Sequence, residues 1–429
     1  MVLDFVDDLG ADPSGNSVSD GVFDQMNSID RRFQVSVPQG DYTFSDSTHE
    51  LEPEVGCEIK AELPSDPTFV APGDYSGIWI DIEGKVSIEG IDIDRSSPGA
   101  SPRLRIRAGR FASITDMALT GRDDSDAATG SVFDIAGTDS NATVVLDSIL
   151  CKHGSLWSAD SIGDSENGGR PGVRIGSDHY GQAIIENSTF REFSGPGIDG
   201  YGSQGTIEIN ECESVNNNVA QIRVGSPNDS IEKTIIGIDP VGATTDTALS
   251  TDAYTQLDGV RFETTTDLFR RSKEGATVDR CVAYIIRPVG SEPVIGSCFY
   301  GTETALTTRI SRSDGRVDSG GFPAVRFDPP YRSDLNNADV GLDRFYGIGD
   351  TTSGRAVSVA GRGVTLFGSV IERPGDRTPL SVPSSGVTNR GTRLTLSAPV
   401  REVGIPDVDL SATYPDTLTG PPTDDGGDI

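Results

Sequence analysis

Lysine is scarce in this chain. Only Lys60, Lys85, Lys152, Lys233 and Lys273 occur, so 30 of the 35 basic residues are arginine. Histidine is scarcer still: His49, His153 and His179. The cysteines are Cys57, Cys151, Cys212, Cys281 and Cys298, an odd number with no Cys-x-x-Cys pair. That pattern speaks against a disulfide framework or a zinc site and for buried free thiols. No stretch reaches the ~18 apolar residues of a membrane helix, so no membrane insertion is expected. The opening Met1-Val-Leu-Asp-Phe-Val-Asp-Asp8 has neither the basic residues nor the apolar run of a signal peptide. A soluble chain is expected that stays in the cell, leaves without a cleaved signal, or has been trimmed.

Carboxylates are abundant. There are 66 acidic residues, giving a formal net charge of −31, and they occur all along the 429 residues. A disordered acidic chain is the plain alternative, but the regular apolar alternation described below opposes it. Many carboxylates with little lysine read as adaptation to brine, where hydrated carboxylates keep a surface soluble after salt has screened long-range repulsion. Direct nucleic-acid binding is not expected, because phosphates would meet a surface of their own sign.

A strand-turn unit recurs. Ala183-Ile-Ile-Glu-Asn-Ser-Thr-Phe190 is followed by Thr206-Ile-Glu-Ile-Asn-Glu-Cys-Glu-Ser214, which puts Ser188 and Cys212 in one place 24 residues apart. Weaker echoes are Thr143–Cys151, Thr277–Tyr284 and Pro293–Tyr300. A period in the low twenties, with short strands and 51 glycines for turns, indicates a solenoid that adds one coil per repeat. The expected fold is all-β: a single-stranded right-handed parallel β-helix with a short N-terminal capping helix. Ser188 and Cys212 then belong to the core, and chemistry belongs to loops such as 160–169 and Gly176–Gly181.

The expected organisation has three parts. Residues 1–48 form a cap: a helix from Asp20 as N-cap through Val22, Phe23, Met26 and Ile29, then strands around Pro38-Gln-Gly40. The helix would cover the open end of the first coil. Residues 49–400 form the β-helix, with alternating strands such as Ile78–Ile82, Val86–Ile93 and Leu104–Ile106. Residues 401–429 have linker composition, either flexible or ordered by a partner.

Several side chains are candidates for function. Arg174, Arg223, Arg261 and Arg326 each follow Val or Ile and precede an apolar residue. In register they would make an arginine ladder on one outer face, able to fork to the carboxylates or sulfates of acidic sugars. The competing reading is a ladder interleaved with the protein's own carboxylates. His179, beside Asp178 and between Gly176 and Gly181, could contact a sugar or move a proton. A turn histidine that orders a loop is the favoured reading. A glycosidase needs two carboxyl groups roughly 5 to 9.5 Å apart. Asp178, Asp199, Glu208, Glu211 and Glu213 are candidates, and stacking about 4.8 Å apart would bring Glu186 and Asn210 together. With 66 acidic residues, a solvated acidic face explains any one pair better. Asp123, Asp124 and Asp126, with Asp160 and Asp164, lack the EF-hand pattern, so weakly held Ca, Mg or salt cations are the most expected there, and no cofactor. Sequons begin at Asn141, Asn187 and Asn228.

The run Asp8-Leu-Gly-Ala-Asp-Pro-Ser-Gly15, the helix, and Val37-Pro-Gln-Gly-Asp-Tyr42 together resemble the opening module of pectate-lyase-like proteins, right-handed parallel β-helices found in polysaccharide-degrading enzymes and phage tailspikes. The stretches Gly168–Gly176, His179–Gly181, Glu186–Phe193 and Asn216–Gly225 resemble β-helix repeat proteins of halophilic archaea and their viruses. The resemblance covers most of residues 1–400. The paired aspartates and Gly-His-Gly of polygalacturonases are missing, as is the Arg-x-Pro-x-x-Arg of some pectate lyases; Arg170-Pro-Gly-Val-Arg174 has other spacing.

The resemblance implies a virion structural or host-attachment protein (spike, turret or fibre) of a haloarchaeal virus. It would be displayed at the virion surface, as a homo-oligomer with a trimer favoured. Its expected partners are a host surface glycan or glycoprotein and other virion proteins. The alternative is a polysaccharide lyase or glycoside hydrolase, a depolymerase on the same fold; a cellular scaffold is the third reading.

Overall fold

The computed structural model of the chain describes residues 1–45, 48–52, 56–62, 67–73, 77–123, 131–155, 169–238, 257–265, 274–285, 296–317, 323–330 and 339–348. It also describes 356–360, 362, 364–367, 369–373, 380–381, 387–390 and 393–396. The expected tail 401–429 lies outside these residues. The chain divides into two compact units, Met1–Glu208 with Thr244–Leu249, and Ile209–Ala243 with Ser250–Ile429.

Unit one has three faces of parallel strands. On the first, Val2–Asp4, Phe33–Val37, Cys57–Ala61, Lys85–Glu89, Phe111–Thr120, Thr143–Cys151 and Gln182–Glu186 pair in succession. The second begins Ser14–Val18, Asp41–Thr43, Thr68–Val70, Asp92–Asp94. The third runs Thr48–Leu51, Gly77–Ile82, Leu104–Ala108, Phe133–Gly137, Val173–Arg174, Ile198–Asp199. Long parallel sheets with one strand per face in each coil define a parallel β-helix. Alternation aims every second side chain inward. Val35, Ile59, Ile88, Ile114, Leu146 and Ile185 are successive register partners, all buried. Each contributes about 1.5–3 kcal/mol by leaving water.

The helix is Gly21–Asn27, with Val22, Phe23 and Met26 buried. Asp20 holds the N-cap position, but its backbone is already helical and its side chain makes no capping bond. Instead Asp20 Oδ1 accepts the Ser45 amide (2.8 Å) and lies 3.2 Å from His49 Nε2. The helix docks on Thr48–Leu51, the first strand of the third face. Phe23 stacks on His49 at 4.9 Å. Asn27 Nδ2 donates to the Glu50 carbonyl, and the Glu52 amide donates to Asn27 Oδ1, both 2.8 Å. A side chain thus satisfies backbone groups that an open strand edge would expose.

Unit two repeats the plan. Its first face runs from Ser230–Glu232 through Glu274–Asp279, Thr307–Ser311, Val340–Asp343 and Val364–Phe367 to Val387–Arg390. Its second runs from Glu213–Val215 through Ile235–Ile238, Val282–Ile285, Asp314–Val317, Tyr346–Ile348 and Val370–Arg373 to Arg393–Leu396. Its third comprises Ala220–Val224, Asp258–Phe262, Phe299–Gly301, Val325–Phe327, Val357–Val359 and Leu380–Ser381.

The repeat seen in the sequence is a turn between the first and second faces. A left-handed residue (Asn187, Glu211, Lys233, Arg280 or Arg312) precedes a buried Ser188, Cys212, Thr234, Cys281 or Ser313. The hydroxyl or thiol donates to the carbonyl two residues back, as in Ser188 to Glu186 (2.6 Å) and Cys281 to Asp279 (3.3 Å). Its oxygen can also accept an amide from the preceding coil. The Ile149 amide reaches Ser188 (3.0 Å), and the Cys281 amide reaches Ser313 (3.1 Å).

The spacing of this turn is not uniform. It is 22 residues from Cys212 to Thr234, 32 from Cys281 to Ser313 and 39 from Ile149 to Ser188, so the low-twenties period holds only for bare coils. Cys298 is not an echo of the turn. It borders the third-face strand Phe299–Gly301, and residues 286–295 lie outside the described residues. All five cysteines are buried, and none is in a disulfide.

Candidate functional site

The third face of unit one gathers arginines. Leu104–Ala108 turns Leu104, Ile106 and Ala108 inward, which leaves Arg105 and Arg107 on the outer side. Trp79, Arg105, Asp134, Arg174 and Asp199 follow one another in register. Asp134 is buried beneath Arg103, which pairs with its Oδ2, and Arg107, whose Nη2 donates to its Oδ1 at 3.0 Å. Arg107 Nε lies 2.5 Å from Asp178 Oδ2. Burial pushes the Arg103 pKa down to about 10, assisted by the nearby charges of Arg105, Arg107 and Arg174. Four arginines therefore share one face of a chain with net charge −31, and Arg174 is exposed.

Two turns border this face. His179 is fully buried and holds them together. Its Nδ1 accepts the Gly137 amide (2.9 Å), its Nε2 lies 3.3 Å from the Thr206 carbonyl, and its own carbonyl accepts the amides of Gln204 (3.0 Å) and Gly205 (2.9 Å). Burial pushes its pKa below the ordinary histidine value, despite the Thr206 carbonyl and Asp178. Both ring nitrogens are engaged by backbone. This is the geometry of a loop-ordering histidine, with no free nitrogen to offer a substrate. What the turns display is aromatic: Tyr180 is 48% exposed and Tyr201 39%. Gln204 Nε2 donates to the Ser177 carbonyl (2.9 Å) and to the Tyr180 hydroxyl (3.4 Å). Asp199 Oδ1 accepts the Tyr201 amide at 3.1 Å. Exposed aromatic rings beside guanidinium and carboxamide groups present an apolar face and polar rim to a ligand.

Three of the four expected ladder arginines lie in unit two. Arg223 pairs in register with Arg261, and Tyr300 stands between Arg261 and Arg326. Both guanidinium groups lie over the Tyr300 ring, 5.6 and 5.2 Å from its centroid. Glu263 pairs with Arg223 (2.8 Å) and Arg261 (2.9 Å). Asp328 accepts from Arg326 (3.1 Å) and from the Tyr300 hydroxyl (2.7 Å). Tyr300 is only 7% exposed, and burial with the Asp328 hydrogen bond raises its pKa well above the ordinary phenol value. This column is interleaved with the chain's own carboxylates.

The remaining candidates are dispersed. Glu208 accepts from Gln182 Nε2 (2.6 Å), and Glu211 pairs with Lys233 (2.9 Å). Asp123 is buried against Arg170, so its carboxylate does not face solvent cations. Asp124, Asp126, Asp160 and Asp164 lie outside the described residues. Among the described residues, no three His, Cys, Asp or Glu side chains group as a metal site. Asn141, Asn187 and Asn228 are exposed. Sequence reasoning misses Arg103, Arg105, Arg107, Tyr180, Tyr201 and Gln204. The alternation in Leu104-Arg-Ile-Arg-Ala108 is the signal that finds two of them.

No protein-family model matches the sequence, and no curated protein matches it. Solved structures share the parallel β-helix. The Dettilon tailspike protein aligns at 10% identity over 90% of this chain and 68% of its own, with a TM-score of 0.48. The catalytic domain of a GH87 α-1,3-glucanase aligns at 10% identity over 92% and 68%, with a TM-score of 0.48. PfbA, a surface adhesin of Streptococcus pneumoniae, aligns at 12% identity over 95% and 91%, with a TM-score of 0.47. At these identities the likeness is one of architecture. Among the described residues, no helix is long and apolar enough to cross a membrane.

Proposed function

We propose that this chain is a surface protein that binds anionic glycans through the third face of unit one. The observation that carries the proposal is Arg174 exposed beside the turns that display Tyr180 and Tyr201. Sugar rings stack on tyrosine, and guanidinium groups fork to uronate or sulfate. The face is an open surface, which suits attachment. Scarce lysine and excess carboxylate support a brine habitat. With the resemblance to β-helix proteins of halophilic archaea and their viruses, the reading is a spike, turret or fibre of a haloarchaeal virus, assembled as a homotrimer.

The test is retention of the chain on haloarchaeal surface polysaccharide in molar salt. Retention of an unmodified polymer supports attachment, and no retention refutes it. Capsid or tail genes beside the coding gene would support the virion setting, and polysaccharide-biosynthesis neighbours would contradict it. The alternative reading is a depolymerase on the same fold. Release of reducing ends or unsaturated products in the same incubation would replace attachment with cleavage.

A further inference from the structure

Arg95 follows the second-face strand Asp92–Asp94 of unit one, and its side chain is 0% exposed. Its Nη2 donates to the Cys151 sulfur (3.4 Å) and to the His153 carbonyl. Its Nε and Nη1 have no hydrogen-bond partner among the described residues, and neither do Nε of Arg103 and Nε of Arg170. Arg170 is itself 2% exposed. Its Nη1 meets the Asp123 carboxylate and the Ser101 hydroxyl, and its Nη2 donates to the carbonyls of Ser101 (3.3 Å) and Pro102 (2.9 Å).

The charges do not balance. Asp123 answers Arg170, Asp134 answers Arg103, and Arg107 has Asp178 as well as a share of Asp134, so the imbalance lies at Arg95. No described carboxylate pairs with Arg95. Its positive charge stands close enough to Arg170 to help burial hold that guanidinium's pKa well below the ordinary value. A guanidinium does not shed its proton inside a protein. A buried charge without a counter-charge is strongly destabilising, and each buried N–H without an acceptor adds to the cost. Water could satisfy the N–H groups and leave the charge.

We propose that Arg95 and Arg170 hold a buried monovalent anion, chloride, as a structural component of unit one. A halide accepts from several N–H groups without a directional demand, and side chains this closed to solvent admit only a small occupant. The anion would join segments far apart in sequence: Arg95 reaches 58 residues on to His153, and Arg170 reaches 69 residues back to Ser101. It is separate from the outer glycan surface and stands whether or not that surface binds sugar.

The test is thermal unfolding of the full chain at fixed sodium and fixed ionic strength, with chloride replaced stepwise by methanesulfonate. A ligand bound only by the folded state raises Tm with its concentration. The expected result is a Tm that climbs with chloride, a similar climb with bromide, and a flat response in Arg95→Met, whose side chain fills similar space without charge. Equal Tm in the two wild-type salts, or an unchanged chloride response in Arg95→Met, would overturn the proposal. Should Arg95→Met fail to fold, bromide-soaked crystals of the wild type decide. An anomalous peak within contact distance of the unpartnered Arg95 Nη1 is expected, and a chain carboxylate or no peak there refutes the site.

Discussion

Arg107 Nε and Asp178 Oδ2 lie 2.5 Å apart, which ties the arginine-bearing strand Leu104–Ala108 to the turn that displays Tyr180. Arg107 is shielded while Asp178 is half-exposed, so salt screens the pair in part. Arg107→Ala should therefore loosen the turn as well as remove a cation. Glycan affinity should fall by about tenfold or more, the equivalent of about 1.4 kcal/mol. Arg174→Ala should weaken binding with little change in Tm, because Arg174 is exposed. Calorimetric titration beside a melting curve separates the two effects.

His179 supplies a pH dependence. Its folded pKa is depressed by burial. The unfolded state therefore takes up a proton first as pH falls below about 6.5. Stability is full above that value and declines as pH drops toward the folded pKa. His49, also depressed by burial, adds in the same direction. His179→Gln should lower stability at pH 7.5 by about 1–3 kcal/mol through lost backbone partners. It should also flatten the decline between pH 6.5 and 5 in denaturant titrations.

Asp314 acts with the opposite sign. Its folded pKa is raised to about 6 by burial. Its stability contribution is complete below the unfolded value near 3.8 and is lost as pH rises to 6. Asp314→Asn should raise stability at pH 7–8 by about 1–2 kcal/mol and change little at pH 4. An equal gain at both pH values in urea melts would show that burial of the charge is not the cause.

Gly301 lies between Phe262 and Phe327 in register, and those two rings stack at 5.7 Å. A Cβ at Gly301 would overlap the Phe327 ring. Gly301→Ala should cost about 1–3 kcal/mol by overpacking, read from the denaturation midpoint.

The turn column predicts which small residues interchange. Ser313→Ala should leave the buried Cys281 amide without its acceptor, at about 1–3 kcal/mol. Cys281→Ser, which keeps a donor for the Asp279 carbonyl, should cost less than about 1 kcal/mol, because serine and threonine already serve there.

The coil was legible in the sequence because its turn demands particular residues. A left-handed residue followed by a small buried donor leaves the Asn-Ser and Glu-Cys echo at 187–188 and 211–212. Coil length was not legible, since segments between strands vary freely while the turn persists. The misplaced Cys298 has a related cause: every face buries the same small and apolar side chains, so residue type does not identify the face. In the arginine column, Glu263 and Asp328 lie two residues beyond Arg261 and Arg326, on the same side of an alternating strand, and are readable as partners. Tyr300 is not, because its position between two arginines depends on the lengths of the intervening segments. The site around His179 shows the same limit. The histidine draws the eye by rarity, whereas the displayed Tyr180 and Tyr201 need the fold to bring their turns together.

The most direct test of anionic-glycan binding is calorimetric titration of the full chain with a polyuronate and a neutral glucan of matched length, repeated with the double variant Tyr180→Ala/Arg174→Ala. Binding of the polyuronate alone, lost in the double variant at unchanged Tm, is the predicted result. Equal binding of both polymers, or full affinity in the double variant, would contradict it.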